Sequence, residues 1–275
     1  MKADLHIHTY YSDSTFSPKE VVGKAKDKGL KTIAITDHDN IEGIAEAQRK
    51  GQEIGIEVIP GIELSAINRA YPNKDIHLLG YLVDYQDKNF LKSIRKFQQR
   101  RYSRAVEMVK KLNNCGIKIS FEEVKEVSGY GSFGKLHVAK AIYKKGRFDG
   151  LGEIFEKYLN YGCPAYTEKY GLEIEEAIEI LKKCKGIPVL AHPCYSKCED
   201  VIESFVECGL IGIEVFHPEQ NKEDQRRLIQ IAKKYNLLIT GGSDCHGLNK
   251  DGLLIGKIRV NGKIVDRMKK IKENL

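Results

Sequence analysis

The chain has 275 residues, 41% hydrophobic and 30% charged, with 45 Lys and Arg against 38 Asp and Glu for a formal net charge of +7. That length and apolar share support a sizeable core and exclude disordered, fibrous and collagen-like chains. No stretch of about 20 apolar residues occurs and Met1-Lys2-Ala3-Asp4 turns polar at once, so neither a membrane span nor a signal peptide is expected, and the protein is expected to be cytoplasmic.

Short Ile- and Val-rich runs, each followed by a helical pattern, recur towards both ends of the chain, which is the alternation of an α/β fold. A strand is predicted over 3–9. The helix that follows starts at Ser17-Pro18-Lys19-Glu20, which combines a cap, a proline at the first helical position and a capping glutamate, and Gly29 ends it. A strand over 32–36, a helix over 41–54, and strands over 57–61 and 75–81 come next. Between 85 and 167 the strand signal disappears into helical patterns separated by Gly-rich turns such as Ser128-Gly129-Tyr130-Gly131. The alternation resumes with helices over 174–184, 200–208, 222–235 and 263–273, and strands over 188–191, 212–216 and 237–240. Residues 1–84 and 168–275 are therefore expected to form one α/β unit, and 85–167 an inserted helical subdomain.

The seven cysteines are scattered with no Cys-x-x-Cys pair, as expected for reduced thiols. A charge of +7 with no groove-reading motif argues against a duplex-binding protein and for a tolerance of anionic partners.

The histidines carry the chemistry. In His6-Ile7-His8 the two imidazoles are separated by one residue, so on a strand both face the same side. Asp244-Cys245-His246 repeats that spacing after the last core strand. Asp37-His38-Asp39 follows the second strand, Glu63 lies just past Pro60-Gly61, His77 lies in the fourth strand, and His192 sits in Ala191-His192-Pro193. Six of the eight histidines (His6, His8, His38, His77, His192 and His246) thus fall at or near strand ends, where α/β barrels gather catalytic residues. Clustered imidazoles and carboxylates without a cation would leave buried donors and acceptors unmatched. Nitrogen and oxygen donors without cysteine fit Mn, Fe or Zn, and so many donors imply two or three divalent ions.

These residues, in this order, resemble the polymerase and histidinol phosphatase (PHP) family: His6-x-His8, Asp13, Thr36-Asp37-His38, Glu63, His77, Ala191-His192-Pro193 and Ser243-Asp244-x-His246 match its motifs, and the branch of nucleoside 3′,5′-bisphosphate phosphatases is the most similar. The resemblance implies a distorted (β/α)7 barrel with an inserted helical subdomain and a trinuclear centre. In it His6, His8, Glu63 and Asp244 would hold one ion, Glu63 would bridge to a second held by His77 and His192, and Asp13, His38 and His246 would hold a third. Some relatives carry His in place of Asp13.

His217, in Phe216-His217-Pro218, is a candidate proton donor to the leaving group, or else a buried hydrogen-bonding residue. In the helix from Phe90, Ile94, Phe97, Ala105, Met108 and Leu112 form an inward stripe that contains Arg101 and adjoins Arg104. An Arg there snorkels, meets a structural Glu or binds a substrate phosphate. Lys135 and His137, in Lys135-Leu136-His137, are further candidates for phosphate contact, although similar phosphatases tend to carry Arg in place of Lys135.

The expected activity is metal-dependent hydrolysis of a small nucleotide's phosphate ester by metal-activated hydroxide, such as a nucleoside 3′,5′-bisphosphate giving the 5′-monophosphate. Alternatives are a 5′-to-3′ exonuclease acting on short single-stranded RNA or DNA ends, a histidinol-phosphate phosphatase, and a non-catalytic metal-stabilised binding module. The last is disfavoured because none of the nine ligand positions is missing.

Overall fold

The computed structural model describes residues 2–68, 76–129, 132–168, 172–248 and 252–275. The chain begins with β1 (Lys2–Asp4), α1 (Pro18–Asp27), β2 (Thr32–Ile35), α2 (Gly43–Ile54), β3 (Glu57–Ile67) and β4 (Ile76–Tyr81). Helices α3 (Lys88–Asn114), α4 (Phe121–Ser128), α5 (Lys135–Tyr143) and the short α6 (Leu151–Ile154), which runs on into a π turn, follow. The alternation returns with β5 (Leu172–Glu173), α7 (Ile174–Lys183), β6 (Ile187–Leu190), α8 (Ile202–Glu207), β7 (Gly212–Phe216), α9 (Lys222–Lys234), β8 (Leu238–Gly241), β9 (Val260–Asn261) and α10 (Lys263–Lys272). At α1 the expected capping box is present: Ser17 Oγ accepts from Glu20 N, and Glu20 accepts from Ser17 N at 2.8 Å.

The strands pair in the order β8-β7-β6-β4-β3-β2-β1-β9, with β5 on β3. The sheet curls until its ends meet: Leu5 N donates to Gly241 O and His8 N to Cys245 O, at 3.3 and 3.1 Å. Seven strands, β1 to β4 and β6 to β8, thus ring a nearly closed barrel. β4 runs antiparallel to both neighbours, which distorts it.

Two strands differ from expectation. Regular pairing of β1 ends at Asp4 rather than at residue 9, because Thr36 Oγ1 replaces a main-chain acceptor opposite Ile7 N. β3 continues through Pro60-Gly61 to Ile67, since Glu63 and its neighbours pair with β4. A Cβ at Gly61 would stand 2.9 Å from Ile35 O, so glycine there marks close strand approach rather than a turn. The two-residue strands β5 and β9 were too short to leave a signal. Asp75, Tyr130 and Gly131 lie outside the described residues.

Ala34, Ile59, Leu79, Val189 and Leu238 fill one end of the barrel, where Val265 and Met268 of α10 pack against them. A larger layer lies between the sheet and the surrounding helices. α3 joins two cores: Phe90, Ile94 and Phe97 pack on the barrel, while Ala105, Met108 and Leu112 pack with α4 and α5. Among the described residues no helix is long and apolar enough to cross a membrane.

Candidate metal centre

Glu63, wholly buried on β3, is the hub of the site. Its Oε2 faces His38 Nδ1 at 3.0 Å, His8 Nε2 at 3.2 Å and His6 Nε2 at 3.3 Å, and its Oε1 faces His77 Nδ1 at 2.9 Å and His192 Nε2 at 3.0 Å. Asp244 Oδ1 lies 3.0 Å from His8 Nε2 and 3.2 Å from His6 Nε2. Asp13 closes the other flank, with Oδ1 3.2 Å from His246 Nε2 and Oδ2 3.9 Å from His38 Nε2. All nine sequence-predicted ligands are therefore brought together.

Eight of them fall into three overlapping groups whose donor atoms lie within 4.8 Å of one another: His6, His8, Glu63 and Asp244; His38, Glu63 and His77; and His8, Asp13, His38 and His246. His192 belongs to none of these and joins the cluster through Glu63 alone. The sharing of His8 and His38 between groups is a finding beyond the expected partition, in which each served a single ion. His6 Nε2, His38 Nδ1 and Glu63 Oε2 are buried without a hydrogen bond of acceptable geometry. Such crowding of lone pairs fits divalent cations, which satisfy imidazole nitrogen and carboxylate oxygen together.

Local backbone geometry aims these groups. Asp39, His192 and Asp244, each just beyond a strand, adopt φ of 48°, 26° and 49°. Non-glycine residues rarely occupy that region, and such strain clusters at functional sites. A Cβ on Gly242 would collide with His6 Cβ and N, so the bare backbone after β8 lets the chain pass against His6.

Outer hydrogen bonds fix the imidazoles. His6 Nδ1 lies 3.1 Å from Glu214 Oε1, which leaves Nε2 to face the centre. His8 Nδ1 meets Ser12 Oγ, whose hydroxyl donates to Asp37 Oδ1 at 2.5 Å. His192 Nδ1 meets Ser196 Oγ, and His246 Nδ1 donates to Asp244 O. Each contact orients a ring and supports its ligand basicity. Asp37 is thus a support rather than a ligand, bound also by Thr9 N and Oγ1. Glu214, buried in a strand read as plainly apolar, and Ser12 left no sequence signal except spacing: Glu214 shares its strand's inward parity.

The charges hold one another. Burial alone would lower His6, but Glu214, Asp244 and Glu63 raise it well above the usual imidazole range. Burial likewise opposes the charge on His246, which Asp13 and Asp244 lift to about 10. Burial would raise Glu63 and Asp244, yet His38, His77 and His6 beside the first, and His6 and His246 beside the second, push both well below the carboxylate range.

All the donors except the deeper His6 and His8 line a cleft of about 860 Å³, and Arg101, Arg104, Lys135, His137 and Lys140 line the same cleft. Arg101 is only partly available. Its Nε contacts Asp39 Oδ2 at 2.5 Å and its Nη2 donates to Ser65 Oγ at 2.9 Å, so its structural partners are an Asp and a Ser rather than the expected Glu. Arg104 Nε donates to Thr167 O. His137 Nδ1 accepts from Gly134 N, and burial pushes its pKa down to about 4, so the ring is neutral with its proton on Nε2. His217 Nδ1 accepts from Glu219 N at 3.1 Å, which places its own proton on Nε2, 3.4 Å from Asp244 Oδ2.

Comparison with known proteins gives a consistent picture. The family model for the PHP domain matches residues 4–177. A 5′-3′ exoribonuclease of Haemophilus influenzae is 32% identical over 89% of this chain and 90% of its own length. A phosphoribosyl 1,2-cyclic phosphate 1,2-diphosphodiesterase of Eggerthella lenta is 29% identical over 90% and 95%. A 3′,5′-nucleoside bisphosphate phosphatase of Chromobacterium violaceum is 27% identical over 92% and 90%. Among solved structures, a metal-dependent phosphoesterase of Bifidobacterium adolescentis superposes with a TM-score of 0.87 at 27% identity, covering 97% of this chain and 94% of its own.

Proposed function

The chain belongs to the PHP domain family of phosphoester hydrolases, and on that premise we propose that it hydrolyses the 3′-phosphoester of a small 5′-phosphorylated nucleotide, with a nucleoside 3′,5′-bisphosphate as the type substrate. The observation that carries this reading is the single cleft that sets Arg101, Arg104, Lys135, His137 and Lys140 across from the carboxylate–imidazole cluster. One phosphate would sit against the cationic residues of segment 85–167, which we assign as the substrate-binding subdomain. The other would lie over the metal donors.

His6, His8, Glu63 and Asp244 would hold one ion, Glu63, His77 and His192 a second, and Asp13, His38 and His246 a third. The donor set suits Mn, Fe or Zn. When bound, such ions neutralise charge on the phosphoryl group and acidify water. The protein's own part is orientation and hydrogen bonding. Glu63 and Asp244 fix the donors, the cationic wall orients the second phosphate, and His217 Nε2–H would donate a hydrogen bond to the departing 3′-oxygen as water supplies its proton.

The same bond is broken in a 5′-phosphorylated oligoribonucleotide, which would release a 5′-monophosphate and leave a strand that again begins with a 5′-phosphate. The exoribonuclease similarity favours this as the second reading. Protein stripped and reloaded with Mn²⁺ is to be incubated with adenosine 3′,5′-bisphosphate, with 3′-AMP and with 5′-phosphorylated tetranucleotide. Phosphate from the bisphosphate in preference to 3′-AMP supports the first reading, and mononucleotide from the tetramer supports the second. Release from none of them refutes both.

A further inference from the structure

Glu214, fully buried on β7, contacts ligands on both sides of Glu63. Its carboxylate lies 3.1 and 3.3 Å from His6 Nδ1, and its Oε2 also accepts the backbone N–H of His192 at 3.0 Å. His6 and His192 in turn face opposite oxygens of Glu63. The four residues close a ring: Glu214 to His6, His6 to Glu63, Glu63 to His192, and the His192 main chain back to Glu214. The main-chain contact falls on the residue with φ of 26°, where a conformation with little intrinsic preference needs an external hold.

The surroundings are built to keep Glu214 there. The β7–β8 register shifts between Glu214 and Phe216, an irregularity of the kind that redirects a side chain beside a site. Gln220, itself buried, donates to Glu214 O at 3.2 Å and Val215 O at 2.7 Å, and its Oε1 accepts from Cys194 N at 3.4 Å. One amide thereby ties the irregular stretch of β7 to the loop that carries His192.

We infer that Glu214 is a positioning residue that couples the two ion positions flanking Glu63, so that losing its carboxylate weakens both together. Two N–H donors converge on it, and both require acceptors. A glutamine offers one acceptor oxygen, and its NH2 would oppose the remaining donor. Either His6 turns over or the His192 loop relaxes, and Glu63 transmits the change to the other side.

The inference rests on the reading that these side chains hold divalent ions, and the test separates the two. Metal-free wild type, Glu214→Gln and Glu214→Asp are to be titrated with Mn²⁺ by calorimetry, with the spin-coupled pair followed by electron paramagnetic resonance and metal-free folding checked by thermal melting. Wild type that binds no Mn²⁺ would defeat the metal reading itself. Glu214→Gln is expected to weaken both ions of the pair by roughly 10–100-fold and to abolish the coupled signal, with Glu214→Asp intermediate. A lower melting temperature with unchanged Mn²⁺ affinity, or weakening of one ion alone, would overturn the coupling. If Glu214→Gln does not fold, the affinity of Glu214→Asp decides: wild-type binding at both positions overturns it.

Discussion

Arg101 of α3 clamps Asp39, the residue that follows the candidate ligand His38, through a 2.5 Å contact between Nε and Oδ2. Asp39 is buried at a φ of 48°, its Oδ1 accepts from Ser65 N, and its own N–H donates to Glu63 O. The helical segment therefore reaches the candidate metal donors through a covalently adjacent residue, so the proposed substrate grip and the donor geometry are mechanically joined. Burial opposes the Asp39 charge, and Arg101 more than offsets this, holding its pKa below the ordinary value.

Arg101→Ala should then do two things. Removing one partner of a largely buried pair strands the other charge, and since Arg101 keeps some solvent contact a loss of about 2–3 kcal/mol in stability is expected. The specificity constant for the bisphosphate should also fall by about 1–3 kcal/mol. Denaturant melts of Arg101→Ala, Asp39→Ala and the double variant check the pairing: strictly additive losses would show that the two side chains do not stabilise each other.

His8→Ala and Asp244→Ala remove donors shared by several imidazoles and should abolish turnover with loss of bound metal. Asp13→Ala touches the flank away from Glu63 and should lower metal content by about one ion while the pair around Glu63 persists. Elemental analysis after gel filtration reads both outcomes. Full metal content in His8→Ala would contradict the assigned donors.

How much of this could be read beforehand depended on spacing. His6-x-His8 and Asp244-x-His246 announce themselves because strand parity sends both members of each pair to one face, and the capping box at Ser17 because its residues are local in sequence. Glu214 and Asp39 became meaningful only when distant strands met: Glu214 lies 208 residues from His6, and Asp39 lies 62 from Arg101. Pro60-Gly61 reads as a turn by local chemistry, but the strand runs through it because tertiary approach of β2 and β4 rewards a missing side chain. The Arg101 stripe was visible, while its partner was not, since nothing local distinguishes a structural carboxylate from a substrate phosphate.

The pH dependence of the metal-free protein has a definite sign. Raised imidazoles, His246 at about 10 and His6, His8 and His192 also above 6.5, give stability that is complete below pH 6.5 and is lost as pH rises towards 10. Lowered carboxylates, Asp13, Glu63 and Asp244, give stability that is present above pH 4.5 and is lost on acidification. Metal-free protein should therefore melt highest between about pH 4.5 and 6.5. Ions must displace the imidazole protons, so Mn²⁺ affinity should climb with pH and proton release should be measurable by calorimetry in buffers of differing ionisation enthalpy. An affinity independent of pH from 6 to 8 would contradict the assignment.

Tyr195 is 63% exposed where it lines the cleft, and its ring stands edge-on to that of His192 at 5.7 Å. With Leu248, 64% exposed on the same cleft, it offers an apolar surface suited to a nucleobase. Tyr195→Ala should weaken the bisphosphate's apparent binding by about 1–3 kcal/mol, the range for base–aromatic stacking. Hydrolysis of p-nitrophenyl phosphate, which lacks a base, should change little. An equal loss for both substrates would instead assign Tyr195 to support of His192.

Gly242 offers a test of the barrel closure with no ligand removed. The ends of the sheet meet where Leu5 N donates to Gly241 O, and the next residue passes so close to His6 that a methyl group would overlap its Cβ and main-chain nitrogen. The overlap involves backbone, so no rotamer relieves it and β1 must separate from β8. Gly242→Ala should therefore cost at least about 1–3 kcal/mol, the usual penalty for overpacking, and should tilt His6 away from Glu63 and Asp244. Mn²⁺ binding around Glu63 should weaken although all nine donors remain in the chain. Wild-type affinity in a destabilised Gly242→Ala protein would show that the ring of donors tolerates movement of β1, and that its geometry is set by the side-chain contacts rather than by closure of the sheet.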